Sequence, residues 1–352
     1  MRHSLPRILS IGTANPSTKV SQEDILELFK VENPAVRSLF TASHIDSRYL
    51  YLPPRTDDGI PQESQAELLQ KHRMGALELG RKAIQECLDG IGAKPADVDM
   101  LCCISSTGFM LPGISAMYVK HLGFRVNCHR MDLVGMGCNA GLNGLNPVSA
   151  WVAANPGKLA LMVCCEINSA LYIYDQSMAT GVVNSLFGDG CAAISLRCDI
   201  KDDVQMAPQI LHFESHLIPD TWKAMSYHWN TEHGKFSFNL DRDVPYVLGA
   251  HAQIPVGNLL KPFGLQVRHI NHWIIHSGGK KVIDAIKYTV GITAHDVRHT
   301  TATLREYGNV GSGAFLFSYK HLLQENSIKR GDYAVMMTMG PGSTIETALL
   351  KW

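Results

Sequence analysis

Three side chains from remote stretches of this chain have the types needed for nucleophilic attack by sulfur and for holding a developing negative charge. Cys138 stands in Gly135-Met136-Gly137-Cys138-Asn139-Ala140-Gly141, His276 in His276-Ser277-Gly278-Gly279, and Asn309 in Tyr307-Gly308-Asn309. A cysteine just after glycines and at the start of a helical run has backbone amides directed at its sulfur. A neighbouring imidazole lowers the thiol pKa further, so a thiolate is expected at neutral pH. A carboxamide adds a neutral N–H donor that stabilises an oxyanion or enolate without competing as a base.

Taken singly, each motif has an ordinary structural explanation: a small buried thiol, a strand-end histidine, a turn-forming asparagine. Their spacing ties them together. Cys138 and Asn309 differ by 309 − 138 = 171 positions, and Ser105 and His276 by 276 − 105 = 171. An apolar run (Leu101-Cys102-Cys103-Ile104) leads to Ser105-Ser106-Thr107-Gly108 and then to the cysteine motif. A second apolar run (Trp273-Ile274-Ile275) leads to His276 and then to Asn309. Farther on, Phe187-Gly188-Asp189-Gly190 is echoed by Met339-Gly340-Pro341-Gly342 at 342 − 190 = 152, leaving about 19 extra residues in the first half. Two look-alike halves that meet face to face bring the sulfur, the imidazole and the carboxamide to one junction.

The elements that must position these groups follow from periodicity. Apolar positions at helical spacing mark a helix from Gln62 to Leu88, and Pro112 is expected to open another through Leu122. Leu133-Val134 reads as a strand followed by the glycine-rich turn Gly135–Cys138, and a helix over Asn139–Ala154, dense in small residues, is expected at the buried centre. Leu159–Cys165 and Cys191–Leu196 are continuous apolar strands. A polar connection at Arg197–Pro208, with Asp199, Lys201, Asp202 and Asp203, marks the boundary between halves 1–200 and 201–352. Beyond it come helices near Pro245–Leu260, Lys280–Val290, His295–Glu306 and Ser312–Glu325, then strands Tyr333–Met339 and Thr344–Leu350. The pattern is a layered α/β fold.

Composition narrows the function classes. The 352 residues carry 32 basic and 32 acidic side chains, so no global charge draws the protein to nucleic acid or to an anionic membrane. No run approaches a membrane span, and the start leads straight into the strand-like Ile8-Leu9-Ser10-Ile11-Gly12 with no secretory pattern. All nine cysteines lie between Cys87 and Cys198. Cys102-Cys103 and Cys164-Cys165 sit inside apolar strands as small buried hydrophobes, and a reduced, cytoplasmic setting is expected. No HxH, HExxH or paired CxxC spacing is present, so no metal is expected.

With these motifs together the chain resembles the thiolase-fold condensing enzymes and, within them, the type III polyketide synthases of the chalcone synthase family. The resemblance runs from Ile11-Gly12-Thr13-Ala14-Asn15-Pro16 to Gly340-Pro341-Gly342-Ser343-Thr344-Ile345-Glu346-Thr347. It implies a thiolase fold of duplicated α-β-α-β-α layered halves, Cys138 as the acyl-carrying nucleophile, and His276 and Asn309 as its partners. Phe187 and Phe238 match the family's gatekeeper phenylalanines, and Gly340, Pro341 and Gly342 its substrate-side loop. The implied activity is decarboxylative condensation of malonyl-CoA on a cysteine, with CoA thioesters as substrates and no cofactor. Val134–Asn143, Val183–Gly190, His276–Asp284, Asp296–Thr301 and Leu349–Trp352 are closest to bacterial members that use malonyl-CoA as starter and extender and release an aromatic CoA thioester.

The resemblance also implies a homodimer, with no nucleic acid or membrane partner, and leaves room for enoyl-CoA-hydratase-like helper enzymes in aromatisation. Two departures stand out. Arg37–Tyr49 has lost most of the basic charge that plant members place there for the CoA phosphates, so no CoA contacts are assigned. Leu111, beside Met110, stands where plant members have a methionine that reaches across the dimer. Alternatives kept open are a pyrone- or resorcinol-forming relative, a ketoacyl synthase III served by a carrier protein, a thiolase-fold thioesterase, and an inactive binding subunit. A papain-like protease would share Cys, His and Asn, but its cysteine flanks are missing here.

Overall fold

The computed structural model describes residues 5–53, 63–198 and 206–352. The expected half boundary falls on 199–205, outside the described residues, as does Gln62. The strands are β1 (Arg7–Ala14), β2 (Lys19–Ser21), β3 (Ser47–Tyr49), β4 (Met100–Ser105), β5 (His129–Val134), β6 (Ala160–Glu166), β7 (Gly190–Arg197), β8 (Gln209–Leu217), β9 (Met225–Asn230), β10 (Lys235–Leu240), β11 (His272–Ile275), β12 (Tyr333–Gly340) and β13 (Thr344–Lys351). Among the described residues, nine of them form one sheet in the order β11-β12-β13-β8-β1-β7-β6-β4-β5.

The duplication is written into that order. Outward from the centre, β1-β7-β6-β4 runs antiparallel, antiparallel, parallel, and β8-β13-β12-β11 does the same. The halves join where Arg7 pairs with Gln209. The structure departs from the equal spacing in one respect. The central helices begin at Ala140 and Ala314, an offset of 314 − 140 = 174. Cys138, in the 3-10 turn Gly137–Asn139, therefore corresponds to Ser312 in Gly311–Gly313, and Asn309 lies three residues earlier. The site draws on neighbouring rather than equivalent positions of the repeat.

Strands β4, β6 and β12 are buried on both faces, which is why they read as unbroken apolar runs. Cys102, Ile104, Met162, Cys164 and Met336 pack toward the central helices, with Leu142, Leu145, Val148, Phe315 and Leu316. The alternate residues Leu101, Cys103, Val163 and Cys165 pack outward against the helix Gln65–Asp89, through Leu68, Ala76, Leu79 and Ala83. Val335 and Met337 pack outward against the helices of the second half. At Gly141 any side chain would sit 2.3 Å from the Ser312 carbonyl, so glycine sets how closely the two halves approach.

Two helix expectations change. Pro112 does not open a helix: it lies before Ile114–Leu122, whose first turn is held by Asp132 accepting the Ser115 N–H at 3.0 Å. The stretch Pro245–Leu260 is two helices, Val244–His251 and Gln253–Leu260, because Pro255 removes a hydrogen bond and crowds the carbonyl four residues back. The β9–β10 hairpin was not evident in the sequence.

Candidate active site

Cys138 is half-buried in its 3-10 turn, directly before the buried helix Ala140–Ala154. The turn is fixed from two sides. The Gly137 N–H donates to Ser106 Oγ at 2.8 Å. Gly137 has φ +71°, and a Cβ there would lie 2.4 Å from the Pro341 ring. Only glycine can take that backbone conformation against that neighbour. Pro341 thus locks the Cys138 turn and also lines the cavity, whereas Gly340 and Gly342 shape the turn that carries it and are not lining residues.

Asn309 comes to Cys138 from the other half. Its Nδ2 lies 4.0 Å from Cys138 Sγ, and its Oδ1 accepts the Gly311 N–H at 2.9 Å, which orients the amide with nitrogen toward sulfur. His276 follows β11, with its N–H bonded to the Met337 carbonyl at 2.9 Å. Its ring is buried, and Nδ1 has no partner. Ser277 Oγ donates to the Gly308 carbonyl at 3.3 Å, tying the histidine loop to the residue before Asn309.

The sulfur faces a cavity of about 730 Å³, open mouth included, lined by Cys138, Phe187, Phe238, Tyr227, Glu166 and Pro341 among others. Phe187 and Phe238 meet edge to face, 5.8 Å between centroids at 85°, and Tyr227 packs on Phe238 at 5.4 Å. Both expected gate rings are thus on the cavity wall and in contact, while His276 and Asn309 are buried behind its lining.

Electrostatics run against the expected thiolate. Burial, with the nearby Glu166 charge adding to it, pushes the Cys138 thiol up to about 12, while the Asn309 hydrogen bond pulls the other way. Burial pushes His276 down to about 4. The walls favour neutral thiol and neutral imidazole, because taking either charge out of water outweighs the few donors offered to it.

Several site residues were missed from sequence. Glu166 ends β6 and is the only carboxylate among the described lining residues. It accepts from Ser312 Oγ at 2.6 Å and from the Ser106 N–H at 2.9 Å, while burial raises its pKa. The signal available was a lone charge immediately after an unbroken apolar run. Tyr227 donates to the Ser106 carbonyl at 3.0 Å. Arg48 is fully buried and donates to the Phe187 carbonyl at 2.6 Å, to Tyr172 Oη at 2.9 Å and to Gln22 Oε1 at 2.7 Å. Those bonds hold the backbone behind the Phe187 ring.

Comparison with known proteins agrees with this fold. Residues 32–267 match the family model "FAE1/Type III polyketide synthase-like protein", and residues 209–352 match "Chalcone and stilbene synthases, C-terminal domain". The chain is 50% identical to a 3,5-dihydroxyphenylacetyl-CoA synthase of Streptomyces toyocaensis, over 99% of this chain and 90% of that one. It is 49% identical to the protein of the same name from Amycolatopsis orientalis, over 99% and 94%. The solved structure of 1,3,6,8-tetrahydroxynaphthalene synthase from Streptomyces coelicolor A3(2), a bacterial type III polyketide synthase, superimposes with a TM-score of 0.88 at 26% identity, over 98% of this chain and 99% of that one. The fold is the thiolase fold, and the chain belongs to the type III polyketide synthase family, acyltransferases that condense CoA thioesters.

Proposed function

We propose that this enzyme makes 3,5-dihydroxyphenylacetyl-CoA from four malonyl-CoA, with Cys138 as nucleophile and His276 and Asn309 as its partners. The observation that carries the site is the Asn309 amide nitrogen facing Cys138 Sγ at 4.0 Å beside the cavity. The product is supported by near-full-length identity to synthases of that name.

In the proposed cycle His276 takes the Cys138 proton as sulfur attacks the acyl thioester, so charge appears only when substrate brings its own polar groups. CoA leaves with that proton. Malonyl-CoA then loses CO2, and the N–H of Asn309 and the imidazole N–H hold the enolate oxygen. The enolate carbon attacks the Cys138 thioester, the C–S bond breaks, and the chain, longer by two carbons, is now on CoA. Transfer back to Cys138 allows another round. Ring closure and loss of water give the aromatic product; the four malonyl-CoA yield four CO2, three free CoA and one product thioester. Phe187 and Phe238 separate the CoA entrance from the cavity where the chain folds.

A homodimer is part of this proposal. β5 is an edge strand with Val134 exposed, and Phe109 and Leu111 are exposed nearby in sequence, Leu111 almost fully. An unpaired strand edge together with exposed apolar side chains is best covered by a second copy. We also assign the enzyme to the cytoplasm, where its nine free cysteines stay reduced; among the described residues no helix is long and apolar enough to cross a membrane.

Incubating pure protein with malonyl-CoA alone and identifying products by mass spectrometry tests the function. The aromatic CoA thioester is expected, absent with Cys138→Ala. A pyrone or a free acid as the sole product would replace the proposed product. Uncyclised chains converted to the ring only on adding an enoyl-CoA-hydratase-like enzyme would assign aromatisation to that helper.

A further inference from the structure

The β9–β10 hairpin stands apart from the main sheet: among the described residues its two strands pair only with each other. Two strands alone are marginal, so the contacts around the hairpin decide where it sits. Its place matters, because Met225, Ser226, Tyr227 and Phe238 all line the cavity. Two bonds hold its flanks: the Phe236 N–H donates to Gln65 Oε1 and Tyr227 Oη to the Ser106 carbonyl, each at 3.0 Å.

The tip is held by a different kind of bond. Asn230 Oδ1 accepts the Glu232 and His233 N–H groups at 3.0 and 3.1 Å, which shapes the turn, and His233 Nε2 reaches Asp175 Oδ2 at 3.2 Å. An ionised carboxylate only accepts, so the imidazole nitrogen carries the proton. Asp175 is already set in place by its own segment. It accepts the Ser177 N–H at 3.0 Å and the Thr180 hydroxyl, at the start of the helix Met178–Leu186. Gln176, next in the chain, fastens that segment to the Lys30 carbonyl at 3.2 Å and the Glu32 N–H at 3.1 Å. The His233 and Asp175 side chains are each 21% exposed, so water only partly screens the pair.

Leverage follows from the lengths. The helix Met178–Leu186 has nine residues, about 13 Å, and is capped by Phe187. Phe238 lies 238 − 233 = 5 residues beyond His233, at most about 16 Å along β10. β10 packs along that helix. Helix and strand thus run side by side over similar lengths. They are tied at one end by His233 and Asp175, and at the other end the Phe187 and Phe238 rings meet, 5.8 Å between centroids. A shift at the tied end changes the distance between the rings.

We propose that His233 is a positioning residue whose bond to Asp175 latches the hairpin onto the helix Met178–Leu186, and that this latch sets the gap between Phe187 and Phe238 and so the size of group that reaches Cys138. That the group is a CoA thioester rests on the function proposed above; the latch itself does not.

The test reads access to the sulfur directly. Wild type, His233→Leu, His233→Asn and His233→Gln are labelled in parallel with iodoacetamide and with fluorescein maleimide, and modification of Cys138 is timed by peptide mass spectrometry. In His233→Leu the fluorescein maleimide rate should rise about tenfold, the scale of one lost hydrogen bond to a charged group, while the iodoacetamide rate stays within about twofold. A glutamine nitrogen overlays imidazole Nε2 and should restore the wild-type ratio of the two rates. Asparagine is too short to reach Asp175 and should behave as leucine does, so the comparison stands even if leucine does not fold. In an Asp175→Ala background, His233→Leu should add nothing further. An unchanged ratio in both the leucine and asparagine variants would overturn the proposal. So would glutamine that matches leucine, or two rates that rise in equal proportion, since that marks general loosening. The expected ratios in a wild type that forms no polyketide from malonyl-CoA would support the latch and count against the function above.

Discussion

Phe187 and Asn309 are joined by an isolated parallel β-bridge. The Asn309 N–H donates to the Leu186 carbonyl at 2.9 Å, and the Gly188 N–H donates to the Asn309 carbonyl at 3.0 Å. One short piece of backbone therefore fixes both the Phe187 ring from the first half and the Asn309 amide from the second. The link makes side-chain and backbone changes separable. A Cβ at Gly188 would fall 2.3 Å from the Tyr307 carbonyl, so Gly188→Ala must push the bridge apart. Malonyl-CoA decarboxylation in Gly188→Ala should drop by about 10²-fold, the effect of an ångström-scale misplacement. Phe187→Ala leaves the bridge in place and should act mainly on KM. Equal decarboxylation kcat in the two variants would refute the coupling.

Asn309 and Glu166 act on the Cys138 sulfur with opposite sign. The Asn309 hydrogen bond lowers the thiol pKa and the Glu166 charge raises it. Asn309→Ala removes a donor to the thiolate, so the pH profile of Cys138 alkylation by iodoacetamide should move to higher pH. Glu166→Gln removes a like charge and should move it to lower pH. The same Asn309→Ala protein should decarboxylate malonyl-CoA about 10²–10³-fold more slowly, as for loss of an oxyanion donor. An unmoved profile in Glu166→Gln would mean that Glu166 is uncharged in the cavity.

Why Cys138 and Asn309 were legible in the sequence, and Glu166 was not, has a physical basis. The first two are announced by local backbone chemistry: glycine-rich turns at helix starts, repeated in two halves. Even so the spacing misled slightly, since Asn309 lies three residues before the position equivalent to Cys138. Glu166 is defined by partners on other segments, Ser106 and Ser312, which only folding assembles. The direction of the Cys138 shift was missed for a related reason. It depends on how little water reaches the sulfur, and that is a property of the closed cavity. The strands β4, β6, β7, β12 and β13 were readable because both of their faces are buried. The hairpin β9–β10, with exposed and intermediate residues mixed along both strands, left no such signal.

Arg48 carries a positive charge fully out of water, and burial lowers its pKa. Its bonds to the Phe187 carbonyl, Tyr172 and Gln22 offset that cost. Arg48→Met keeps the bulk and removes the donors. Gln22 Oε1 then loses its Arg48 donor, so unfolding should cost about 1–3 kcal/mol less, read as a lower urea midpoint at unchanged m. An unaltered midpoint would mean that the cost of burying the charge equals everything its bonds return.

Eight of the nine cysteines are buried within the core, and burial pushes Cys87 up to about 11 and Cys102 up to about 12. Cys138 has a high thiol pKa as well, but its sulfur alone opens onto a cavity that a small alkylating agent can enter and faces an amide donor. Access, more than acidity, therefore separates it from the rest. Native protein should take up about one equivalent of iodoacetamide at mildly alkaline pH, and the full set of nine after denaturation without reductant, because all nine thiols are free. Cys138→Ala should take up essentially none while native. Saturating malonyl-CoA should protect wild type by loading the same sulfur. Rapid native labelling of a second cysteine, or no protection by substrate, would show that the reactive thiol is not the one facing Asn309.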